Sequence, residues 1–176
     1  FYKNEKDINL AVIGAYGALS SIYAADYVKY TELPSDNAST VGDTGTQALI
    51  DKFTISPVNP IIESAWRNHY RCITNVNEIL AAIPEITFTS QKKRDQYEGE
   101  ALFLRALCYF NLVRMFGDVV YIDRPITIEE SQKMSRTTRE KVYSDLIIPD
   151  LKKAKTQLPD NYSGEDIGRS TSGAAQ

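Results

Sequence analysis

Apolar residues recur at steps of three and four over four stretches of the chain, and each stretch predicts a helix with one buried face. The first runs from about Glu5 to Ala25, with Ile8, Ala11, Val12, Ala15, Tyr16, Leu19, Ile22 and Tyr23 on its stripe and Asn4 placed to cap it. The second opens at Pro60, a residue tolerated at the first helical position, with Asn59 as cap and Glu63 complementing the positive end of the dipole. Its stripe is Ile62, Ala65, Trp66, His69, Tyr70, Ile73, Val76, Leu80 and Ile83, and it ends before Pro84. The third spans about Gln91 to Phe116 through Tyr97, Ala101, Leu104, Leu107, Cys108, Leu112 and Met115, and Gly117 supplies its stop. The fourth starts at Thr137-Thr138-Arg139-Glu140, which fits a capping box with Glu140 reaching back to Thr137. Val142, Tyr143, Leu146, Ile147, Leu151, Ala154 and Leu158 form its stripe. Pro149 inside it is expected to remove one backbone bond and kink the helix, at about 3 kcal/mol unless neighbours compensate.

Between the first two helices, Asp26 to Asn59 carries Pro34, Gly42, Gly45 and Pro57 among many Ser, Thr, Asp and Asn residues. No helical stripe persists there, although short pieces of structure are compatible with Tyr27-Val28-Lys29-Tyr30 and Ala48-Leu49-Ile50. Loops beyond about 12–15 residues are uncommon in compact domains and tend to be functional or disordered, so this excursion is the first place to seek a small ligand. Val119-Val120-Tyr121-Ile122 reads as a brief extended segment, and Pro159 to Thr171 as a polar loop. Ser172 to Gln176 looks like a helix that has just begun, which predicts a chain incomplete at its C-terminus. Together these elements predict an all-α fold of antiparallel helical hairpins with one long loop insertion at about residues 26–59. The thirty-four-residue tetratricopeptide period has a partial match, Ala106 and Phe110 for its A-x-x-x-F element, without the Trp-Leu-Gly-Tyr half.

Composition narrows the function classes. At 176 residues, 43% apolar and 24% charged, the chain suffices for one core, or one domain and the start of another. A net charge of -3 argues against nucleic-acid binding, which needs a clustered basic excess. No run of about eighteen apolar residues exists to span a bilayer. Two cysteines exclude a disulfide-dense scaffold, and one histidine excludes His-rich metal sites. The opening Phe1-Tyr2-Lys3 carries no signal-peptide pattern, so it reports no compartment and reads as the front of a trimmed or processed piece. Eleven tyrosines suit half-buried helix faces and sugar-contacting surfaces equally.

Individual side chains carry two kinds of expectation. Trp66, on the second stripe four residues from Tyr70, is assigned to packing, and the lone His69 to a structural role without metal. Asp36 and Asn37, with Tyr27 and Tyr30 nearby, form the candidate binding group: planar carboxylate and amide groups match the paired geometry of vicinal hydroxyls, and tyrosine rings stack on sugar faces. The alternative is that Asp36 and Asn37 only bond the backbone of a turn. Asn37-Ala38-Ser39 and Asn161-Tyr162-Ser163 are also glycosylation sequons, a pattern that arises often by chance. Neighbouring helix positions point about 100° apart, so Glu98 and Glu100, which flank Gly99, and the adjacent Glu129 and Glu130 do not converge as acid and base; solvated surface is expected. No nucleophile elbow, zinc-protease, P-loop or dinucleotide motif is present, so no catalytic residue and no cofactor is assigned. Arg105, among Leu104, Ala106 and Leu107, needs a structural partner such as Asp118 or a carboxylate on the second helix. Cys72 and Cys108 are expected as free, mostly buried thiols about 9 Å apart along the helices, if the turn at residues 83–90 is the pivot.

Three blocks jointly carry a family resemblance. They are Ala65-Trp66-Arg67-Asn68-His69-Tyr70-Arg71-Cys72-Ile73-Thr74-Asn75-Val76-Asn77; Gly99-Glu100-Ala101-Leu102-Phe103-Leu104-Arg105-Ala106 continuing through Tyr109-Phe110 and Leu112-Val113 to Phe116-Gly117-Asp118-Val119; and Val142-Tyr143, Asp150-Leu151, Ala154 and Leu158-Pro159 closing on Gly168-Arg169-Ser170-Thr171. With Glu32-Leu33-Pro34-Ser35-Asp36-Asn37 after the first helix, the chain resembles the N-terminal segment of the SusD/RagB family of outer-membrane nutrient-binding lipoproteins from Bacteroidetes. Val120 stands where the family commonly has proline, and Pro149 interrupts a helix usually unbroken. The resemblance implies tetratricopeptide-like hairpins and a surface-exposed lipoprotein, held to the membrane only through an acylated cysteine upstream of Phe1. It further implies non-enzymatic capture of a glycan or other nutrient beside a TonB-dependent, SusC-like transporter. The competing reading is a helical protein–protein scaffold without a small ligand.

Overall fold

In the computed structural model, residues 2–25, 27–42 and 44–176 are described. The four long helical stretches form where the apolar stripes place them. Helix α1 spans Glu5–Ala25, and the Asn4 side chain accepts from the Asp7 amide at 3.1 Å. Two short helices follow within the excursion, α2 (Tyr27–Thr31) and α3 (Thr46–Asp51). Helix α4 (Pro60–Ala82) is capped by the Asn59 side chain accepting from the Ile61 amide at 3.0 Å, and it runs into a 3-10 turn at Ile83–Glu85. Helix α5 (Gln91–Phe116) starts under the Ser90 hydroxyl and ends on Gly117, whose φ of 69° suits a residue without a Cβ.

After α5 come β1 (Val119–Val120), α6 (Ile128–Lys133), β2 (Arg136–Thr137), α7 (Arg139–Val142), a π turn at Tyr143–Ile147 and α8 (Ile148–Gln157). Strands β1 and β2 are antiparallel, with Val119 opposite Thr137 and Val120 opposite Arg136. Short 3-10 turns at Gly164–Asp166 and Ser172–Ala175 complete the described elements. The architecture is all-α, with α1 packed on α4 and α5, α4 on α5, and α5 on α8.

Helix α5 is the centre of the molecule. One side meets the main core, where Ile8, Val12, Cys72, Ile73, Leu104, Tyr109 and Leu112 are each fully buried. The opposite side meets a smaller cluster of Leu102, Ala154, Leu158 and Ala175. Gly99 permits that second contact: a Cβ there would lie 3.0 Å from Gln157 Cβ and 3.1 Å from Leu158 Cγ. A single stripe therefore under-describes α5, whose polar residues Gln96, Glu100, Arg105 and Asn111 are buried as well.

Each of these buried polar groups has a defined partner. Arg105 donates from Nε and Nη2 to the two Asp150 carboxylate oxygens at 2.7 and 2.9 Å, and from Nη1 to Asn77 Oδ1 and the Asp123 carbonyl, both at 2.8 Å. The carboxylate thus comes from α8, and the second helix contributes an amide; neither Asp118 nor a second-helix carboxylate fills that role. Glu100 corrects the expectation of a solvated surface, since it is completely buried. It accepts from Arg169 Nη1 at 3.1 Å, Gln96 Nε2 at 2.9 Å and the Tyr162 hydroxyl at 3.2 Å. Arg169 also reaches Asn9 Oδ1 at 2.8 Å, and Ser170 bonds the Tyr16 hydroxyl, so the Gly168–Thr171 block fastens the last loop across α5 onto α1.

Other local expectations change in instructive ways. The capping box at Thr137 and Glu140 does not form. Thr137 is held in β2, Thr138 is the N-cap, the Glu140 carboxylate binds Arg139 Nε at 2.8 Å, and Asp118 accepts from the Arg139 amide at 3.1 Å. A capping box does form on α6, between Thr127 and Glu130. The disturbance at Pro149 takes the form of the preceding π turn, in which the Ile148 amide reaches back to the Tyr143 carbonyl. The Asp145 carbonyl, four residues before the proline and deprived of that amide donor, accepts from the Tyr121 hydroxyl at 3.4 Å. Cys72 and Cys108 are free and buried, but they are in contact: the Cys72 thiol hydrogen-bonded to it and burial push the Cys108 thiol well up. The pairs Cys72–Cys108, Asn77–Arg105 and Trp66–Phe116 all put the hairpin pivot near residues 90–91. The 3-10 turn and the segment to Ser90 extend α4's arm before α5 begins, which removes the expected offset of about 9 Å.

Candidate functional site

The excursion between α1 and α4 is ordered by a few specific ties while its surface stays in solvent. Ala48 and Ile50 of α3 are buried at 2% and 0% exposure and pin it to the body. Asn59 donates from Nδ2 to the Thr46 carbonyl at 3.0 Å, linking α3 to the start of α4. The Asp51 carboxylate accepts from the Thr40 amide and hydroxyl at 2.9 and 2.8 Å, and these bonds hold its pKa below the usual carboxylate value. Outward from these anchors, Val41, Val58 and Phe53 are 94%, 81% and 73% exposed.

Asp36 and Asn37 sit on a turn closed by their neighbour. The Ser35 amide and hydroxyl donate to the Glu32 carbonyl at 3.0 and 2.6 Å, and the Asn37 amide donates to Ser35 Oγ at 3.3 Å. Among the described residues, neither the Asp36 carboxylate nor the Asn37 side-chain amide has a hydrogen-bond partner. Both are exposed, and they share a shallow depression of about 320 Å³ with Ser35, Asp51 and Phe53. Phe53 is the residue that sequence reasoning missed. Its φ of 53° lies in the left-handed region, sparsely populated for a bulky side chain, and its ring stands beside the two free polar groups. No local pattern marks such a residue; an aromatic that belongs to neither stripe, between Lys52 and Thr54, is the only hint.

Tyr27 and Tyr30 line a different, deeper cleft of about 510 Å³, together with Ile55, Ile62, Asn111, Arg114 and Phe116. The Tyr27 ring lies 4.5 Å from that of Tyr23 and 5.5 Å, edge-on, from that of Tyr30. Asn111 Nδ2 donates to the Tyr23 hydroxyl at 2.9 Å, bracing the cleft floor. The four predicted residues therefore fall into two pairs, on a shelf (Asp36, Asn37) and in a cleft (Tyr27, Tyr30). The pairs are connected through Phe53 and Ile55, which lie two positions apart on one strand of chain.

Trp66 and His69 hold structural places. Trp66 is half-buried against Tyr70 at 4.8 Å and Phe116 at 5.0 Å, with the Arg136 guanidinium over its ring at 5.4 Å, and it borders a depression of about 350 Å³. His69 is fully buried, its Nδ1 bonded to the Ala65 carbonyl at 2.6 Å, and burial pushes its pKa down, so the ring is neutral. Among the described residues no group of three His, Cys, Asp or Glu side chains is arranged to hold a metal ion.

The arrangement on the excursion can hold a polyhydroxylated ligand: an exposed ring for one face of a sugar, and a carboxylate and an amide for its hydroxyls. Residues 4–176 match the SusD-like family described as starch-binding and associating with the outer membrane. SusD-like protein P25 of Formosa agariphila is 29% identical over 99% of this chain and 35% of its own length, and SusD-like protein P2 of the same organism is 29% identical over 99% and 35%. Among solved structures, a laminarin-binding SusD-like protein superposes with a TM-score of 0.89 at 28% identity, over 99% of this chain and 38% of that one. A SusD-like protein from Bacteroides fragilis gives 0.82 at 29% identity, over 97% and 33%. The chain spans about a third of the length of the curated relatives it matches. With a family match across nearly the whole chain, and relatives that share its helical body, the chain belongs to the SusD-like family.

Proposed function

We propose that this protein captures a glycan at the cell surface without catalysing a reaction and passes it to a TonB-dependent, SusC-like transporter. Attachment is through an acylated cysteine upstream of Phe1; no helix among the described residues is long and apolar enough to cross a membrane. The family description, starch-binding and associating with the outer membrane, supports both the ligand class and the location. The observation that carries the reading is the shelf: Asp36 and Asn37, whose side chains have no hydrogen-bond partner among the described residues, beside a phenylalanine at positive φ. Strained exposed residues persist where the surroundings over-determine them, and they cluster at binding sites. Tyr27 and Tyr30 extend the same surface toward the cleft.

Affinity electrophoresis of the full-length protein through gels containing different polysaccharides tests the proposal. Retardation by at least one polysaccharide is expected, weakened in an Asp36→Ala, Asn37→Ala double variant and in Phe53→Ala. Retardation unchanged in both variants would move the site elsewhere, and none with any polysaccharide would overturn glycan capture.

A further inference from the structure

The shelf and the cleft differ in charge. Asp36 and Asp51 border the shelf, whereas among the described residues the cleft is lined by no acidic residue and by one cation, Arg114. Arg67, Arg105, Arg124, Arg139 and Arg169 each face a carboxylate within ion-pair distance. Among the described residues Arg114, like Arg71, Arg94 and Arg136, has no carboxylate at ion-pair distance, and of these four it alone lines the cleft; its guanidinium lies over the Phe110 ring at 5.0 Å, and Phe110 is braced edge-on by Tyr143 at 6.4 Å. A guanidinium held over an aromatic ring without a carboxylate partner still has N–H donors to offer, and a planar or tetrahedral oxyanion can take them as paired hydrogen bonds. Asn111, one turn earlier on α5, supplies an amide to the same cleft, and the Tyr27 and Tyr30 rings supply its apolar wall.

We propose that the cleft between α2 and α5 takes an anionic sugar, a uronate or a sulfate ester, with Arg114 as the residue that selects for the charge. This rests on the glycan-capture reading above and specifies its ligand class. A net charge of -3 gives no long-range attraction for a polyanion, so selection is a contact effect at Arg114, felt within about one Debye length. The competing role for Arg114 is to complement the carbonyl end of α5, in whose last turn it lies. That role affects thermal stability but not ligand discrimination.

Isothermal titration of the full-length protein with polygalacturonate, a sulfated galactan and a neutral β-glucan separates these possibilities, with the anion bound identifying carboxylate or sulfate. Arg114→Gln is expected to weaken binding of the anionic polymer at least about tenfold and to remove most of its salt dependence, with no change for the neutral glucan. A neutral glucan bound as tightly as the anionic polymers, unaffected by Arg114→Gln, would overturn the charge selection and leave glycan capture standing. Loss of thermal stability in Arg114→Gln with unaltered discrimination would likewise overturn it, in favour of the helix-end role. Failure of both anionic polymers to bind would overturn the charge selection, while glycan capture itself falls only if no polysaccharide of the wider electrophoresis panel binds.

Discussion

Replacing Arg105 with methionine removes a cation that ties α5 to α4, to α8 and to the segment at Asp123. Its side chain and that of Asp150 are 9% and 10% exposed, so the pair is shielded from solvent. The variant leaves the Asp150 carboxylate without its two charged donors, and Asn77 Oδ1 and the Asp123 carbonyl without theirs. Burial already pushes the Asp150 carboxyl up, with the guanidinium pulling it back, so the orphaned group is expected to take up a proton. Breaking a buried pair from one side costs about 3–5 kcal/mol. For a chain of this size that corresponds to a fall in Tm of roughly 6–20 °C. Thermal unfolding followed by far-ultraviolet circular dichroism, together with urea titration, measures it. The double variant Arg105→Met, Asp150→Leu replaces both charges with apolar groups and should regain much of the loss. A single variant within 1 kcal/mol of the parent would refute the structural role.

Gly99→Ala places a methyl 3.0 Å from Gln157 Cβ, and the crowding should outweigh the gain in helix propensity, a net loss of about 1 kcal/mol by urea titration; a stabilised variant would contradict the close α5–α8 approach. Cys72 and Cys108 should react with a thiol reagent only on unfolding, and a mass two hydrogens lower in the non-reduced protein would show a disulfide where free thiols are expected. Glu130, held at about 2 by Arg124 and the Thr127 amide, has a folded pKa below its ordinary 4.5. Its contribution to α6 is therefore complete above about pH 4.5 and is lost as pH falls through 2; carbon-detected NMR should give the low value, and Thr127→Val or Arg124→Gln should raise it. A Glu130 titrating near 4.5 would show that the capping box does not persist in solution.

The helices were legible because each is marked at both levels, by a stripe and by its ends. Asn4 and Asn59 cap α1 and α4 as read, and Gly117 stops α5. What escaped depends on distant partners. Glu100 is indistinguishable from a surface glutamate until Arg169, sixty-nine positions later, closes over it. The fourth helix carries the acid for Arg105, and no local spacing connects them. The capping-box pattern at Thr137 is overridden by strand pairing of that residue, while the equally good pattern at Thr127 lies outside any apolar stripe and forms the box. At the site, the excursion and its polar pair could be read from composition. The division into shelf and cleft, and the outward ring of Phe53, arise from α3 and backbone conformation.

Hydrogen exchange read by mass spectrometry, with the full-length protein alone and saturated with a bound polysaccharide, tests most directly whether the solvent-facing excursion is the ligand site. Protection is expected in peptides from residues 27–42, 44–59 and the last turn of α5, with α8 and the Gly168–Thr171 block unchanged. Protection confined to other parts of the protein, with the excursion exchanging as before, would contradict it.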